Sequence, residues 1–323
     1  GQLGDGGAIN WYDYTLSPST TAIDLGTGRT AVAVAAGVAH TCAILDNGEL
    51  KCWGMDVKGQ LGDGGSDTNT AAPSSTAIDL GTGRTAVAVA AGSLHTCAIL
   101  DNGDLKCWGD DNTGQLGNGP IYSTPVRSPP STAIDLGTGR TAVAVSAGDG
   151  ITCAVLDNGE LKCWGYDSHG QLGDGGATRQ DTNAPSSTAI DLGTGRTAVA
   201  VANGWYQTCA ILDNGESKCW GLDNYGVLGD GGSTNTDTNA PSSTAINLGT
   251  GRTAVAVAAG DDHTCAILDN GDVKCWGGDD NGRLGNGGSN TNLNAPSSTA
   301  INLGTGRTAV AVSAGYGHTC VIL

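Results

Sequence analysis

The residues with the clearest chemical potential are cysteines and histidines that recur at a fixed spacing. Residues 40–54 read H-T-C-A-I-L-D-N-G-E-L-K-C-W-G, and this pattern returns along the chain. The chain has 11 cysteines. Thiolates at regular spacing can form disulfides or, together with a histidine, bind zinc. All but Cys320 fall into five equally spaced pairs: Cys42 with Cys52, Cys97 with Cys107, Cys153 with Cys163, Cys209 with Cys219, and Cys265 with Cys275.

The turn between the cysteines of a pair favours the disulfide. A run of small and β-branched residues, an Asp-Asn-Gly turn and a second short run predict an antiparallel hairpin. With a three-residue loop and Gly48 in the left-handed region, Ile44 faces Leu50 and Cys42 faces Cys52. Residues at such a non-hydrogen-bonded position have Cα atoms about 4.5 Å apart. This separation suits a disulfide.

The zinc alternative is disfavoured by two of the copies. Ile151 replaces the histidine in one copy and Gln207 replaces it in another, yet both copies keep both cysteines. We therefore interpret the ten paired cysteines as structural disulfides and expect no metal site among them. Regular disulfides are typical of oxidising compartments, so the sequence predicts an extracellular or cell-surface location.

The elements that carry these cysteines form an internal repeat. The first cysteine of each copy stands at 42, 97, 153, 209, 265 and 320, so the chain holds six units of 55 or 56 residues. Each unit predicts four strands, which in the first copy are residues 31–36, 41–45, 49–53 and 21–25. This period and strand number are typical of the blade of an all-β propeller.

Composition excludes several classes of function. The chain has 54 glycines, no phenylalanine and a net charge of -17. An acidic surface without a basic patch repels phosphate backbones, so nucleic acid is not an expected partner. No apolar run is long enough to cross a bilayer, so this segment is not expected to insert into a membrane.

The repeat resembles that of the RCC1 (regulator of chromosome condensation) family, and the resemblance covers essentially all 323 residues. The motif elements are a glycine, His-Thr, a turn glycine, Cys-Trp-Gly and Gly-Gln-Leu-Gly. One copy carries them as Gly92, His95, Thr96, Gly103, Trp108, Gly109, Gly114, Gln115, Leu116 and Gly117. The resemblance implies a single propeller domain over residues 1–323, and family members typically have seven blades.

The resemblance implies a fold rather than an activity. The family includes a chromatin-binding exchange factor for a small GTPase, a secreted inhibitor of β-lactamase, and many secreted or surface proteins. The resemblance also implies a structural role for the repeated histidines, through hydrogen bonds to the backbone. These are His40, His95, His263 and His318.

The ends of the chain suggest an alternative. The chain begins inside a Gly-Gln-Leu-Gly loop and stops before its last Asp-Asn-Gly turn, so we expect a longer parent protein. The last blade then lacks the strand that would carry a partner for Cys320. Self-association through this incomplete blade would make the protein a structural repeat segment of a surface or filament protein.

The variable loops hold the candidate binding residues. Alternating strand directions place the loops after the first and third strands at one end, which we call the variable face, and the near-identical turns at the other. All seven tyrosines lie in variable loops, with two tryptophans outside the Cys-Trp motif. Tyrosine and tryptophan are typical of recognition surfaces. The predicted contact residues are Trp11, Tyr12, Tyr14, Tyr122, Tyr166, Trp205, Tyr206, Tyr225 and Tyr316.

Three other motifs are interpreted as structural. The variable loops are rich in aspartate, which could bind calcium, but the repeat period does not match a calcium-binding repeat and solvated acidic loops are the default. Residues 26–30, Gly-Thr-Gly-Arg-Thr, lack the lysine and helix of a phosphate loop and predict a turn. No catalytic constellation appears. The sequence therefore predicts a non-enzymatic module, without a cofactor, that binds a protein or glycan; inhibition of a β-lactamase or GTPase exchange is less favoured.

Overall fold

The chain is all-β and is made of short antiparallel sheets, one for each repeat. A computed structural model describes residues 2–6, 19–65, 67–119, 124–176, 180–232, 236–288 and 290–323. The chain divides into two compact units. The first contains Gly1–Thr152 and Thr182–Pro185, and the second contains Cys153–Asp181 and Ser186–Leu323.

Repeats 1 to 5 contribute three strands each and repeat 6 contributes two. The first strands are β1 (Ala31–Ala36), β4 (Ala86–Ala91), β7 (Ala142–Ala147), β10 (Ala198–Asn203), β13 (Ala254–Ala259) and β16 (Ala311–Ala314). The second strands are β2 (His40–Leu45), β5 (His95–Leu100), β8 (Ile151–Leu156), β11 (Gln207–Leu212), β14 (His263–Leu268) and β17 (Thr319–Ile322). The third strands are β3 (Leu50–Gly54), β6 (Leu105–Gly109), β9 (Leu161–Gly165), β12 (Ser217–Gly221) and β15 (Val273–Gly277). Two short 3-10 helices cover Asn224–Gly226 and Asp280–Gly282, and no helix among the described residues is long and apolar enough to cross a membrane.

The hairpin register is the predicted one. Within the first unit the sheets have the orders β1-β2-β3 and β4-β5-β6; within the second they are β10-β11-β12, β13-β14-β15 and β16-β17. Gly48 has φ +78°, and the pairs Ile44 with Leu50 and Cys42 with Cys52 face each other across β2 and β3. A residue with a side chain would be strained at that positive φ, so the glycine fixes the turn and thereby the register.

The fourth strand is absent from the described sheets, which corrects the four-stranded prediction. The segment after β3 makes three main-chain hydrogen bonds to that strand: two form an isolated bridge between Thr70 and Gly54, at 2.8 and 3.0 Å, and one joins Ile78 N–H to the Leu50 carbonyl at 2.9 Å. Two further backbone groups of the segment bind side chains: Thr76 N–H donates to the Ser74 hydroxyl, and the Leu80 carbonyl accepts from Lys106 Nζ at 3.0 Å. Local side-chain hydrogen bonds of this kind compete with a strand ladder.

A bulge near the start of the first strand places a valine in solvent. In β13 the register shifts between Ala254 and Ala256, so that Val255 has no partner position on β14. Its side chain is 61 % exposed. The equivalent valines Val32, Val87, Val143, Val199 and Val310 are also exposed.

Within a unit, one face of each sheet packs against the opposite face of the next sheet. In the first unit, Ile44 and Leu50 of one sheet lie in the same buried cluster as Leu100 and Trp108 of the next. The second unit repeats this arrangement, with Ile211 beside Leu268 and Trp276. Burial of these side chains drives the association of the sheets, because a single repeat cannot bury its hydrophobic faces by itself.

A backbone carbonyl of the Gly-Gln-Leu-Gly loop joins each sheet to the next within a unit. The Gln60 carbonyl accepts from the Trp108 indole N–H at 3.1 Å and from the Thr96 hydroxyl at 2.7 Å. In the second unit the Val227 carbonyl accepts equivalent bonds from Trp276 and Thr264, both at 2.9 Å. These buried donors and acceptors satisfy one another, which avoids the cost of unpaired polar groups.

The shared carbonyl predicts unequal effects of removing two threonine hydroxyls. Thr96 is buried, donates to the Gln60 carbonyl and lies 2.9 Å from the His40 imidazole, whereas the less buried Thr41 donates only to the Gln2 carbonyl among the described residues. We expect Thr96→Val to lower the free energy of unfolding by about 1–3 kcal/mol, because it leaves a buried histidine N–H unpaired. The control Thr41→Val should cost less. Urea unfolding of both variants measures the difference, and equal losses would contradict the role of the histidine contact.

Candidate functional site

The loops of each repeat lie at two opposite ends of its strands. At one end, Met55 N–H, after the third strand, donates to the Ala39 carbonyl, before the second, at 2.8 Å. At the other end, Asp46 N–H donates to the Thr30 carbonyl at 2.9 Å, and Arg29 pairs with Asp46 at 3.2 Å. The Gly-Thr-Gly-Arg-Thr segment is a turn, as predicted. The two kinds of loop, variable and constant, are thus separated as expected.

Four aromatic side chains of the variable face form a continuous row in the second unit, which we call the aromatic row. Its members are Tyr166, Tyr206, Trp205 and Tyr316, from the loops of repeats 3, 4 and 6. The ring centroids of Tyr166 and Tyr206 are 5.9 Å apart, those of Tyr206 and Trp205 are 5.7 Å apart, and those of Trp205 and Tyr316 are 5.9 Å apart. Tilted contacts at these distances stabilise an aromatic cluster. Trp205 is 37 % and Tyr316 72 % exposed.

Near one end of the aromatic row, beside Tyr206, lie two residues that the sequence interpretation missed. The His169 imidazole lies 4.9 Å from the Tyr206 ring, centroid to centroid. Its Nδ1 is 3.0 Å from an Asp237 carboxylate oxygen. His169 is the one histidine outside the His-Thr-Cys position, so its departure from the repeat was an available signal.

The other end of the row rests on an ionic group around Arg283, also missed. Its side chain is nearly buried, and Nη1 donates to the Tyr316 carbonyl at 3.4 Å. The guanidinium pairs with Asp280 at 3.0 Å and with Asp262 at 3.7 Å. Arg283 occupies the glutamine position of the Gly-Gln-Leu-Gly motif, so this substitution could have marked the site.

Tyr225 joins the same surface through its neighbours. The Asn224 amide donates to the Asp262 carboxylate at 3.4 Å, and Asp262 also faces Arg283. Tyr225 has φ +59° and is 38 % exposed. The structure therefore joins four of the predicted contact residues by ring contacts and places a fifth, Tyr225, next to Asn224, which binds Asp262. The other four lie outside the described residues: Trp11, Tyr12, Tyr14 and Tyr122.

Aspartates of the variable loops differ from the solvated groups expected. Five of them are buried and accept, through Oδ1, the N–H of a leucine five residues later at 2.9 to 3.1 Å. Burial raises the pKa of Asp56 and of Asp223 to about 6. These aspartates cap loop backbone, and in the described part of the chain no three metal-ligating side chains form a group that could hold an ion. The five are Asp56, Asp111, Asp167, Asp223 and Asp279.

The cysteines pair as predicted. All five bridges form, with Cα separations of 4.0 to 4.1 Å. Cys320 is free and exposed. The ten thiols of these bridges are therefore not metal ligands in this fold.

Three of the repeated histidines, His40, His95 and His263, bind a threonine hydroxyl, not the backbone that the family resemblance implied. His95 Nε2 lies 2.9 Å from the Thr152 hydroxyl, which donates its single proton to the Gln115 carbonyl at 2.8 Å. The histidine must therefore donate from Nε2, so Nδ1 carries no proton and is buried without a partner among the described residues. A Cβ at Gly92 would overlap the imidazole, so glycine is required there.

Known proteins share this repeat and this architecture. A family model described as an RCC1-like domain matches residues 1–323. The chain is 30% identical over 254 residues to the ultraviolet-B receptor UVR8 of Arabidopsis thaliana, covering 79% of this chain and 54% of UVR8. It is 29% identical over 290 residues to the human E3 ubiquitin-protein ligase HERC2, covering 90% of this chain and 6% of HERC2. The chain thus spans about half, or much less, of the length of these relatives.

Solved structures agree in fold. Human WBSCR16 superposes with a TM-score of 0.81 at 23% identity, over 99% of this chain and 78% of that chain. The yeast RCC1 protein Prp20, in a complex with Kap60, superposes with a TM-score of 0.72 at 20% identity, over 90% of this chain and 67% of that chain. At these identities the likeness concerns the fold alone.

The buried histidines predict a pH dependence of stability. Burial lowers the pKa of His95 from 6.5 to about 4, so the folded state binds fewer protons than the unfolded state between these values. The stabilisation by neutral His95 is therefore complete above pH 6.5 and is lost as the pH falls towards 4. His95→Gln copies the residue at position 207 and should remove this loss.

Unfolding free energies at pH 7 and pH 4 test the prediction. Between these values the wild type should lose about 3 kcal/mol more than His95→Gln. Asp56 and Asp223, whose raised pKa values act in the opposite direction, are present in both proteins and cancel in the comparison. Parallel pH curves for the two proteins would contradict it.

Proposed function

Since the chain belongs to the RCC1-like domain family, we propose that it is a non-enzymatic module that binds a protein through the aromatic row of its variable face. The observation that carries the proposal is the contact of Trp205 with Tyr206 and Tyr316 on an accessible surface. A soluble fold gains little from exposing such side chains, whereas interfaces are enriched in them. Their mutual packing holds the rings in place before binding, which reduces the entropy lost on association.

The choice of a protein ligand is supported by the relatives. Proteins with RCC1-like domains bind other proteins: yeast Prp20 is described in complex with Kap60 and in terms of its binding to Gsp1p and histones. HERC2 is a ligase and spans far more than this domain, so its activity is not carried over. A glycan, the other ligand class predicted from the sequence, is an outcome of the experiment below.

An extracellular or cell-surface location is part of the proposal. Five disulfides bridge hairpins in a regular series, and such bridges persist in oxidising compartments. Each closes a short loop and should contribute about 3 kcal/mol in the chain-entropy model.

The disulfides are tested by intact mass before and after reduction. We expect the protein isolated from its source to gain two hydrogen atoms for each of the five bridges, with Cys320 alkylated without prior reduction. Thiols free throughout would contradict the oxidising location. A covalent dimer through Cys320 would instead support the structural alternative, in which repeat 6 pairs with another chain.

Substitution of the central pair tests the binding surface. Trp205→Ala combined with Tyr206→Ala should weaken the binding of a partner protein at least tenfold, because two central contacts are lost. The partner is first captured from the source material with the wild-type protein and then purified for titration. Val255→Ala, which changes an exposed residue next to a constant turn, is the matched control.

Far-UV circular dichroism and a thermal unfolding scan of the double variant establish that it is folded. Equal affinity of wild type and folded double variant for the purified partner would refute the proposed surface. Capture of a polysaccharide that withstands protease treatment, lost in the same variant, would assign the surface to a glycan instead.

A further inference from the structure

The aromatic row does not stand alone; it adjoins carboxylates at the Tyr316 end. Tyr316 contacts the Trp205 ring on one side, and its carbonyl accepts from Arg283 on the other. Arg283 in turn holds Asp262 and Asp280. One guanidinium thus joins both carboxylates to the Tyr316 backbone, which brings them within reach of a ligand that covers Trp205 and Tyr316.

These carboxylates keep capacity for a further cation. Asp280 is 64 % exposed and accepts one charge-assisted hydrogen bond from Arg283, whereas an ionised carboxylate offers about four acceptor positions. Asp262 is about a quarter exposed and faces the same guanidinium. The pair of carboxylates outnumbers the single guanidinium, so this group keeps a net negative charge.

The positive charge at this place is fixed in the protein. The Arg283 side chain is only 6 % exposed and is tied to Asp280 and to the Tyr316 carbonyl. It is a positioning residue: it orients the Asp280 carboxylate and the Tyr316 backbone, and little of it is accessible to a partner. Burial raises the pKa of Asp262 because it disfavours the charged carboxylate. A cation that approaches would stabilise this charged form.

We propose that the partner inserts an arginine side chain between the Trp205 and Tyr316 rings and the Asp280 carboxylate. A guanidinium is planar, stacks on aromatic faces and donates paired hydrogen bonds to a carboxylate, so it matches both halves of this surface. The net charge of -17 adds long-range attraction for a basic segment. This inference rests on the proposed function and names the chemistry of the partner.

The test uses a labelled peptide with four Gly-Arg repeats and an identical peptide in which citrulline replaces arginine. Citrulline has nearly the same shape without the charge. Fluorescence anisotropy at physiological salt measures binding to the whole chain. We expect the arginine peptide to bind at least tenfold more tightly than the citrulline peptide.

Four variants separate the site from general electrostatic attraction. Trp205→Leu, Tyr316→Leu and Asp280→Asn should each weaken the arginine peptide at least fivefold, whereas Glu216→Gln, an exposed acid in a constant turn of the same unit, should change affinity less than twofold. Equal effects of Asp280→Asn and Glu216→Gln would overturn the proposal, because they indicate attraction by net charge alone. Tyr316 is highly exposed, so its variant keeps the test valid if Trp205→Leu is unstable.

The outcome is distinguishable from that of the proposed function. If the arginine peptide does not depend on Trp205, Tyr316 and Asp280 while the Trp205/Tyr206 double variant still loses its partner protein, the arginine assignment is wrong and the binding surface stands. If the double variant keeps its partner but the peptide depends on these residues, the arginine site exists and the surface proposed for that partner is wrong.

Discussion

The structure depends on one shared acceptor: the backbone carbonyl at the second position of each Gly-Gln-Leu-Gly loop. In each unit this carbonyl accepts an indole N–H and a threonine O–H from the next sheet, as Gln60 does from Trp108 and Thr96. A single repeat cannot bury its hydrophobic faces by itself. Packing of opposite faces supplies the apolar burial, and the shared carbonyl sets the register between sheets. The glycines and tryptophans of the repeat are therefore constrained by the neighbouring repeat as much as by their own.

Much of this architecture could be predicted from the sequence because its determinants are local. The Asp-Asn-Gly turn sets the pairing of Cys42 with Cys52, and six copies of one pattern indicate the propeller fold. The fourth strand was wrongly expected because the alternation of residue types does not reveal two side-chain contacts of that segment. Thr76 N–H donates to the Ser74 hydroxyl, and Lys106 donates to the Leu80 carbonyl. The solvation of the loop aspartates was also wrong, because an acidic residue in a loop gives no sign that a backbone N–H five residues later will bind and bury it.

The candidate site was predictable in residue type but not in arrangement. The tyrosines, which occur in the variable loops and not in the scaffold motif, and the two tryptophans outside the Cys-Trp motif pointed to recognition. Which of them meet depends on packing between repeats, and Trp205 and Tyr316 belong to repeats 4 and 6. The charged residues were missed because aspartates are common in the variable loops, so the sequence around Asp262 does not show that it pairs with Arg283.

Departures from the repeat consensus are concentrated where the aromatic row lies, and this has a physical reason. Repeat 4 contributes Trp205 and Tyr206 and replaces the buried histidine with Gln207, whose amide instead donates to the Gly260 carbonyl at 2.9 Å and accepts from Tyr206 N–H at 3.2 Å. The glutamine thus fixes the backbone beside the two aromatic residues. In the next two Gly-Gln-Leu-Gly loops, the glutamine position is occupied by Val227 and then by Arg283. At this position the backbone carbonyl accepts a threonine hydroxyl of the following sheet. The side chain has a separate role: the Gln60 amide oxygen accepts Lys58 N–H of its own loop at 2.9 Å, whereas Arg283 binds the Tyr316 carbonyl. Because the contact to the next sheet is made by the backbone, this side chain can change between repeats and contribute to the recognition surface.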